Sequence, residues 1–367
     1  MKRPIPAIVL GTRPEIIKLA PVAHELGRKR LPFRLIHTGQ HYSYNMSQVF
    51  LEELGLRRSI RFLDIGGGSQ GEQMAKALVG LERLFIADRP SCIIVEGDTS
   101  TVLAGALSGC RLGIPIVHVE AGLRSYDLRM PEEHNRRVTD HVSALLLAPT
   151  KGNAATLLAE RVPGKIFVTG NTVVDACLQN LPRALKKSRI MDRLELTPGG
   201  YALATIHRAE NVDDPKVLPG LLDIFDGCPL PVVLPLHPRT LKRAGQFGIR
   251  ERLRSRNIHV IQPAGYWDFL VLMKHSGFLL TDSGGIQEEV TAPNIRKKCF
   301  VLRTSTERQE AVKAGFAELV GVQPTTALVA IGAWWRRGAR VPGKRCPFGD
   351  GASAARIVKI LENEHHC

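Results

Sequence analysis

Short runs rich in Val, Ile and Leu alternate with longer amphipathic stretches along this chain, and the alternation occurs twice. Strands that read as near-continuous apolar runs are covered on both faces, as in a parallel sheet flanked by helices. In the first half the runs are 5–10, 33–38, 92–95, 114–119, 144–147 and 166–169; in the second they are 201–206, 232–236, 258–261, 278–281, 299–302 and 317–320. Helix-length stretches such as 71–87 and 100–113 separate them. The 367 residues suit two domains of ordinary size. The fold class expected is therefore α/β, with two doubly wound, Rossmann-like domains facing a cleft. The domains are expected over 1–175 and 176–345, and their join in 175–200, where LPRALKKSRIMDRLELTPGG turns from apolar periodicity to charge and ends in a turn signal. Residues 346–367 form a final helix that crosses back, with Ala355, Ile357, Val358 and Leu361 at helical spacing, and a frayed HHC end.

Composition removes several classes of function. No run reaches the 18 or more apolar residues of a spanning helix, and the opening MKRPIPAIVLGTRPEIIK is interrupted by Arg13, Glu15 and Lys18, so neither membrane insertion nor a secretory signal is expected. The seven cysteines are scattered, with no C-x-x-C pair, which argues against a disulfide framework or zinc knuckle and for a reducing cytoplasm. The net charge of +15 favours polyanions, acidic surfaces or phosphate-bearing small molecules. Its basic residues are dispersed, with no aromatic-interleaved arginine ribbon, so no nucleic-acid partner is expected. No metal-ligand motif is present among the carboxylates and histidines.

Open α/β sheets bind ligands beyond the carboxyl ends of their strands, so the loops there carry the information. The first is Gly11-Thr12-Arg13-Pro14-Glu15, in which Gly11 permits a tight turn, Pro14 suits a first helical turn, and Arg13 and Lys18 can reach an anion; a structural cap reads equally well. Gly66, Gly68 and Gly71 spell G-x-G-x-x-G, but the preceding IRFLDI is a weak strand and does not open a βαβ unit, so a loop is expected there and no dinucleotide site. Later strands lead to Asp98 in EGDT and Glu120 in HVEAGLR, and RMPEEHNRRVTD puts Glu132 and Glu133 in a first helical turn. Salt bridges and helix-end electrostatics would also explain these acids. In the second half the loops carry His207-Arg208-Ala209-Glu210-Asn211 and Asp282-Ser283-Gly284-Gly285, the latter opening a helix that holds Glu289. His207 suits proton exchange or a departing diphosphate oxygen, and Ser283, Gly284 and Gly285 suit amides around phosphate, against the alternatives of a local polar network and a plain cap. G-x-S-x-G is absent around Ser283, so no hydrolase elbow is read.

The pieces GTRPEIIKLAP, TGQH, EGDTSTVLAGA, HVEAGLRS, PEEHNRRVTD, HRAEN, LHPR, LTDSGGIQEE, STERQE and PFGDG occur in an order that strongly resembles the non-hydrolysing UDP-N-acetylglucosamine 2-epimerase family over nearly the whole chain. The resemblance implies a GT-B-like pair of domains and a catalytic group of Asp98, Glu120, Glu132 and His207. It implies that Arg13, Lys18, His207, Tyr266, Phe269, Ser283, Gly284, Gly285, Glu289 and Arg308 bind UDP. Gln40 and His41 match a segment that, in bacterial relatives, helps hold a second, activating substrate molecule. The sequence departs from the family pattern at Gln309, where proline is usual, at Cys346, where asparagine is frequent, and in a longer VTAPNIRKKCF, changes that bear on Arg308 and on the sugar substituents.

The reaction so implied is reversible C2 epimerisation of UDP-N-acetylglucosamine to UDP-N-acetylmannosamine through elimination and readdition of UDP, with no cofactor. The C2 hydrogen is not adjacent to a ring carbonyl, so it becomes acidic only as the C1–O bond to UDP breaks. Removal from one face and return on the other require two acid/base positions. The expected partners are a UDP-linked amino sugar and a second copy in a homodimer, and the setting is cytoplasmic biosynthesis of a polysaccharide or other glycoconjugate. Competing readings are an epimerase for a modified UDP-diacetamido sugar, a hydrolysing epimerase, a glycosyltransferase, and a non-enzymatic basic protein that binds polyanions.

Overall fold

The structure is a computed structural model that describes residues 4–39, 44–57, 60–63, 65–341 and 343–366, with the backbone alone at 44–47. Its chain divides into two compact units, Met1–Ala176 with Phe348–Cys367, and Cys177–Pro347. The fold is α/β throughout, each unit holding one parallel sheet with helices between the strands.

The first sheet contains β1 (Ala7–Leu10), β2 (Arg34–His37), β3 (Ile60–Phe62), β4 (Ile93–Glu96), β5 (Ile116–Val119), β6 (Leu145–Ala148) and β7 (Lys165–Val168), in the order β3-β2-β1-β4-β5-β6-β7. The second contains β8 (Ala202–Thr205), β9 (Val232–Pro235), β10 (Ile258–Ile261), β11 (Phe278–Thr281), β12 (Cys299–Val301) and β13 (Ala317–Leu319), ordered β10-β9-β8-β11-β12-β13. Both orders are doubly wound, reversing between β1 and β4 and between β8 and β11. Every apolar run named above supplies a strand. Central strands are buried on both faces, as in β1 from Ala7 to Leu10, whereas β3, β7, β10 and β13 lie at sheet edges and keep exposed or half-buried positions. That edge position is why IRFLDI reads weakly: of the three side chains in β3, those of Arg61 and Phe62 are exposed.

The glycine-rich segment after β3 is the start of the Gln70–Ala87 helix. Ser69 caps it, with Ser69 Oγ accepting the Glu72 amide at 3.3 Å and Glu72 Oε2 accepting the Ser69 amide at 2.6 Å. A reciprocal cap explains the spacing of these residues without a nucleotide.

The join is helical. The Thr172–Lys187 helix carries the chain from the first unit into the second, and the turn signal falls at 197–200. The Ser353–Asn363 helix follows the second unit in sequence but belongs to the first, where it packs on the Arg13–Arg28 helix and buries Ile357, Val358 and Leu361. The core of the second unit is closed by an aromatic group in which Phe278 meets Phe300 edge-on, ring centres 5.6 Å apart, beside Trp334 and Trp335. Among the described residues no helix is long and apolar enough to cross a membrane.

Candidate active site

In the first unit the loops leaving β1 and β4 diverge at the point where strand order reverses, so residues there face the opening that a doubly wound sheet creates beyond its strand ends. Gly11 is needed at the turn after β1: a Cβ there would lie 2.3 Å from Thr101 Oγ1 and 2.4 Å from Thr38 Oγ1. The chain then enters the Arg13–Arg28 helix, and Glu15 folds back to accept the Gly11 amide at 2.6 Å and the hydroxyls of Thr12 and Thr99 at 2.8 and 2.6 Å. Burial pushes the Glu15 carboxyl up to about 7, although each of these donors pulls the other way. Arg13 stands with its guanidinium 5.6 Å from the Phe50 ring centre, and burial lowers its pKa.

One turn further on, Lys18 Nζ lies 3.1 Å from Glu96 Oε1 and hydrogen-bonds Glu120 Oε2. Asn171 Nδ2 donates to the same Glu120 oxygen at 2.7 Å. All three charged side chains are buried. Glu120 sits just past β5 with φ at 69°, a left-handed conformation that a residue with a side chain adopts only when its surroundings hold it there. Two residues on, Gly122 has a φ of 84° and passes so close to the Asn153 carbonyl oxygen that a Cβ would lie 2.4 Å from it.

Asp98, in the loop after β4, is paired with Arg136 Nη2 and keeps a partly exposed carboxylate. Arg136 also bonds Glu133, which accepts the Ser125 amide at 2.9 Å. Burial would raise the Glu133 carboxyl, yet the Ser125 amide and Arg136 bring it below the ordinary range. Glu133 thus anchors the Pro131–Val142 helix, while its neighbour Glu132 stays half-buried in the first turn. His118, Asp140, Arg124 and Glu160 form a separate buried network under the same helix, with His118 Nδ1 2.7 Å from Asp140 Oδ1 and Arg124 Nη2 2.7 Å from Asp140 Oδ2.

The second unit repeats the plan where β8 and β11 diverge. Asp282 Oδ2 accepts the amides of His207 and Arg208 at 3.0 Å each and Asn211 Nδ2 at 3.2 Å, and Oδ1 stands 3.1 Å from His207 Nδ1. Burial alone would raise this carboxyl, but the His207 side chain and the two amides hold it at about 2. His207 is thereby oriented with its ring half exposed. Ser283 precedes the Gly284–Glu289 helix. Gly284 packs on the next loop so closely that a Cβ would lie 2.7 Å from Glu307 Oε1, whereas the space at Gly285 is open to 4.0 Å. Arg308 is buried and fixed by Glu288 at 2.9 Å and Glu307 at 3.0 Å. Glu289 and the Tyr266 ring are buried in the same unit, and Phe269 is half-buried.

Within the first unit the structure joins Lys18 to Glu120 and shows Asp98 paired with Arg136; within the second it gathers His207, Ser283, Gly284 and Arg308 around the loops after β8 and β11. Lys18, read as an anion ligand from sequence, has its charge matched by two glutamates of its own chain. Gln40 and His41 lie outside the described residues. The sequence alone assigns no site role to Glu96, Asn171, Arg136 or Asp282. Glu96 closes a fully buried strand and Asp282 directly follows one, a position at which a carboxylate needs a specific partner.

Residues 24–362 match the family model described as UDP-N-acetylglucosamine 2-epimerase. A protein of Methanocaldococcus jannaschii named UDP-N-acetylglucosamine 2-epimerase is 43% identical over 363 residues, covering 97% of this chain and 98% of the relative. A crystal structure of the M. jannaschii UDP-GlcNAc 2-epimerase in complex with UDP-GlcNAc and UDP aligns with a TM-score of 0.91 at 43% identity, over 98% of this chain and 99% of that one. A Pseudomonas aeruginosa protein named UDP-2,3-diacetamido-2,3-dideoxy-D-glucuronate 2-epimerase is 37% identical over 361 residues, 96% of this chain and 98% of its own. The GT-B-like fold is shared with this crystal structure. Matched over most of its length by the model and by such relatives, the chain belongs to the UDP-N-acetylglucosamine 2-epimerase family.

Proposed function

We propose that the chain interconverts UDP-N-acetylglucosamine and UDP-N-acetylmannosamine by inversion at C2. The observation that carries this reading is end-to-end similarity, at 43% identity and a TM-score of 0.91, to an enzyme crystallised with UDP-GlcNAc and UDP. The strand-end loops supply the residue types that the chemistry needs. In the elimination step a carboxylate takes the C2 proton, the C1–O bond breaks with its electron pair leaving on the UDP oxygen, and a 2-acetamidoglucal forms. In the return step an acid delivers a proton to the other face of C2 and UDP re-forms the bond at C1. Asp98, Glu120 and Glu132 are the groups assigned to proton transfer. His207, Arg13 and the Ser283 to Gly285 segment meet the charge that grows on the UDP oxygens. Glu289 takes the ribose hydroxyls, Tyr266 and Phe269 adjoin the uracil, and Arg308 supports the phosphates.

The test is incubation with UDP-N-acetylglucosamine in heavy water. Deuterium at C2 of a UDP-linked manno product supports the proposal; free N-acetylmannosamine indicates hydrolysis, and UDP-sugar binding with neither deuterium nor glycal overturns it. A second substrate follows from the Pseudomonas relative, whose name specifies a diacetamido uronic acid and the same C2 chemistry. A panel of UDP sugars differing at C3 and C6 separates the two. Homodimer formation and a cytoplasmic place in glycoconjugate synthesis complete the reading. Light scattering tests the dimer.

A further inference from the structure

Glu96 is the last residue of β4 and its side chain is 2% exposed. The charged groups that face it are Lys18 and Glu15 from the Arg13–Arg28 helix and Glu120 from the loop after β5. Glu15 is already served by one amide and two hydroxyls. Among the described residues, Lys18 is the cation paired with Glu96, and it is shared with Glu120, to which it is hydrogen-bonded. Two buried carboxylates on one ammonium cannot both be neutralised. Glu120 has the stronger claim, because Asn171 adds a second donor at 2.7 Å while Glu96 receives Lys18 at 3.1 Å.

We propose that Glu96 is a positioning residue for the epimerisation, working as the neutral acid so that Lys18 stays on Glu120 and keeps that carboxylate ionised and aimed. The inference rests on the epimerase reading given above. Burial is the main force that raises the proton affinity of Glu96; Lys18 opposes it, and the charges of Glu120 and Glu15 add to it. Ionisation of Glu96 at high pH would draw Lys18 away from Glu120 and add a negative charge beside a reaction that already develops one. Activity should then fall on the alkaline side as Glu96 loses its proton.

The experiment compares wild type, Glu96→Leu and Glu96→Gln by the rate of C2 deuterium exchange and by kcat and KM across the pH range, with UDP affinity measured separately. Glu96→Leu, which takes away the oxygen 3.1 Å from the Lys18 ammonium and with it the support that keeps the ammonium on Glu120, is expected to lower kcat by about tenfold or more while KM and UDP affinity hold. Glu96→Gln, which keeps the shape and cannot ionise, is expected to recover most of that loss and to move the alkaline limb upward by about one pH unit or more. A Gln variant as slow as the Leu variant shows that the ionised form is needed and overturns the inference. So does a Gln variant with an unchanged alkaline limb, which also decides the matter should the Leu variant fail to fold. Wild type that exchanges no deuterium overturns the epimerase reading itself, a result distinct from either.

Discussion

Asp282 shows how one side chain can orient a candidate site residue and stabilise the fold at once. Its carboxylate gathers two amides, one side-chain amide and the His207 ring in a fully buried place. Held at about 2, below its unfolded value, it contributes stability that is complete above the ordinary carboxylate range of about 4 and is lost as pH falls through about 2. The size is about 2 to 3 kcal/mol, since each tenfold change in proton affinity corresponds to about 1.4 kcal/mol. Urea unfolding of wild type should therefore weaken over this window, and Asp282→Asn should be less stable at neutral pH and lack this part of the acid dependence. An Asn variant with the wild-type acid profile would show that another carboxylate controls it. A second expectation at this scale concerns Gly11. A methyl group there meets the Thr101 and Thr38 hydroxyl oxygens, which bond each other at 2.9 Å. Gly11→Ala should cost about 1 to 3 kcal/mol in a denaturation series, by forcing the loop that Glu15 closes.

At the scale of the element, the Pro131–Val142 helix carries a link whose loss should be felt in both stability and turnover. Arg136 is almost fully buried between Glu133 and Asp98. Replacing it with leucine leaves Glu133 with the longer contact to Arg137 at 3.2 Å and frees Asp98 from its fixed direction. Breaking a buried pair on one side costs about 3 to 5 kcal/mol, so Arg136→Leu should lower the melting temperature by several degrees. Its kcat should fall further than that of Arg137→Leu, whose guanidinium is about a third exposed. Equal effects from the two variants would deny Arg136 its special place. Elements of this kind differ in how far they can be read from sequence. The central strands were legible because burial on both faces writes them as unbroken apolar runs, and Asp98, Glu120 and His207 were legible as polar residues at the ends of such runs. Their partners were not. Lys18 and Glu120 are 102 positions apart, and His207 and Asp282 are 75, distances over which no local periodicity reports a contact. Lys18 reads as a phosphate ligand because a lysine one turn into a helix is suited to that, and its pairing with Glu96 and Glu120 leaves no mark in the local sequence.

The whole molecule adds a constraint that neither scale below contains: the first unit is completed by residues that come after the second unit in sequence. The Ser353–Asn363 helix buries Ile357, Val358 and Leu361, and its first amides, those of Ser353 and Ala354, donate to Asp175 at 3.2 and 2.9 Å. Three fully buried aliphatic side chains are worth about 1.5 to 3 kcal/mol each. The ion pairs Lys29 to Glu362 and Lys165 to Glu364 are partly exposed and add little. Removing residues 353–367 therefore withdraws an amount comparable with the roughly 5 to 15 kcal/mol that holds an ordinary domain together. It also leaves Asp175, whose pKa burial already raises, without the two amides that satisfy it. The second unit has its own sheet and aromatic core and loses none of these contacts. Hydrogen exchange on the truncated chain should show β1 and the Arg13–Arg28 helix exposed while β8 and β11 stay protected, with UDP still slowing exchange around 282–289 if that segment holds the nucleotide. Uniform loss of protection would mean that the two sheets fold as one cooperative body. Uniform retention would mean that the final helix contributes far less than its buried side chains imply.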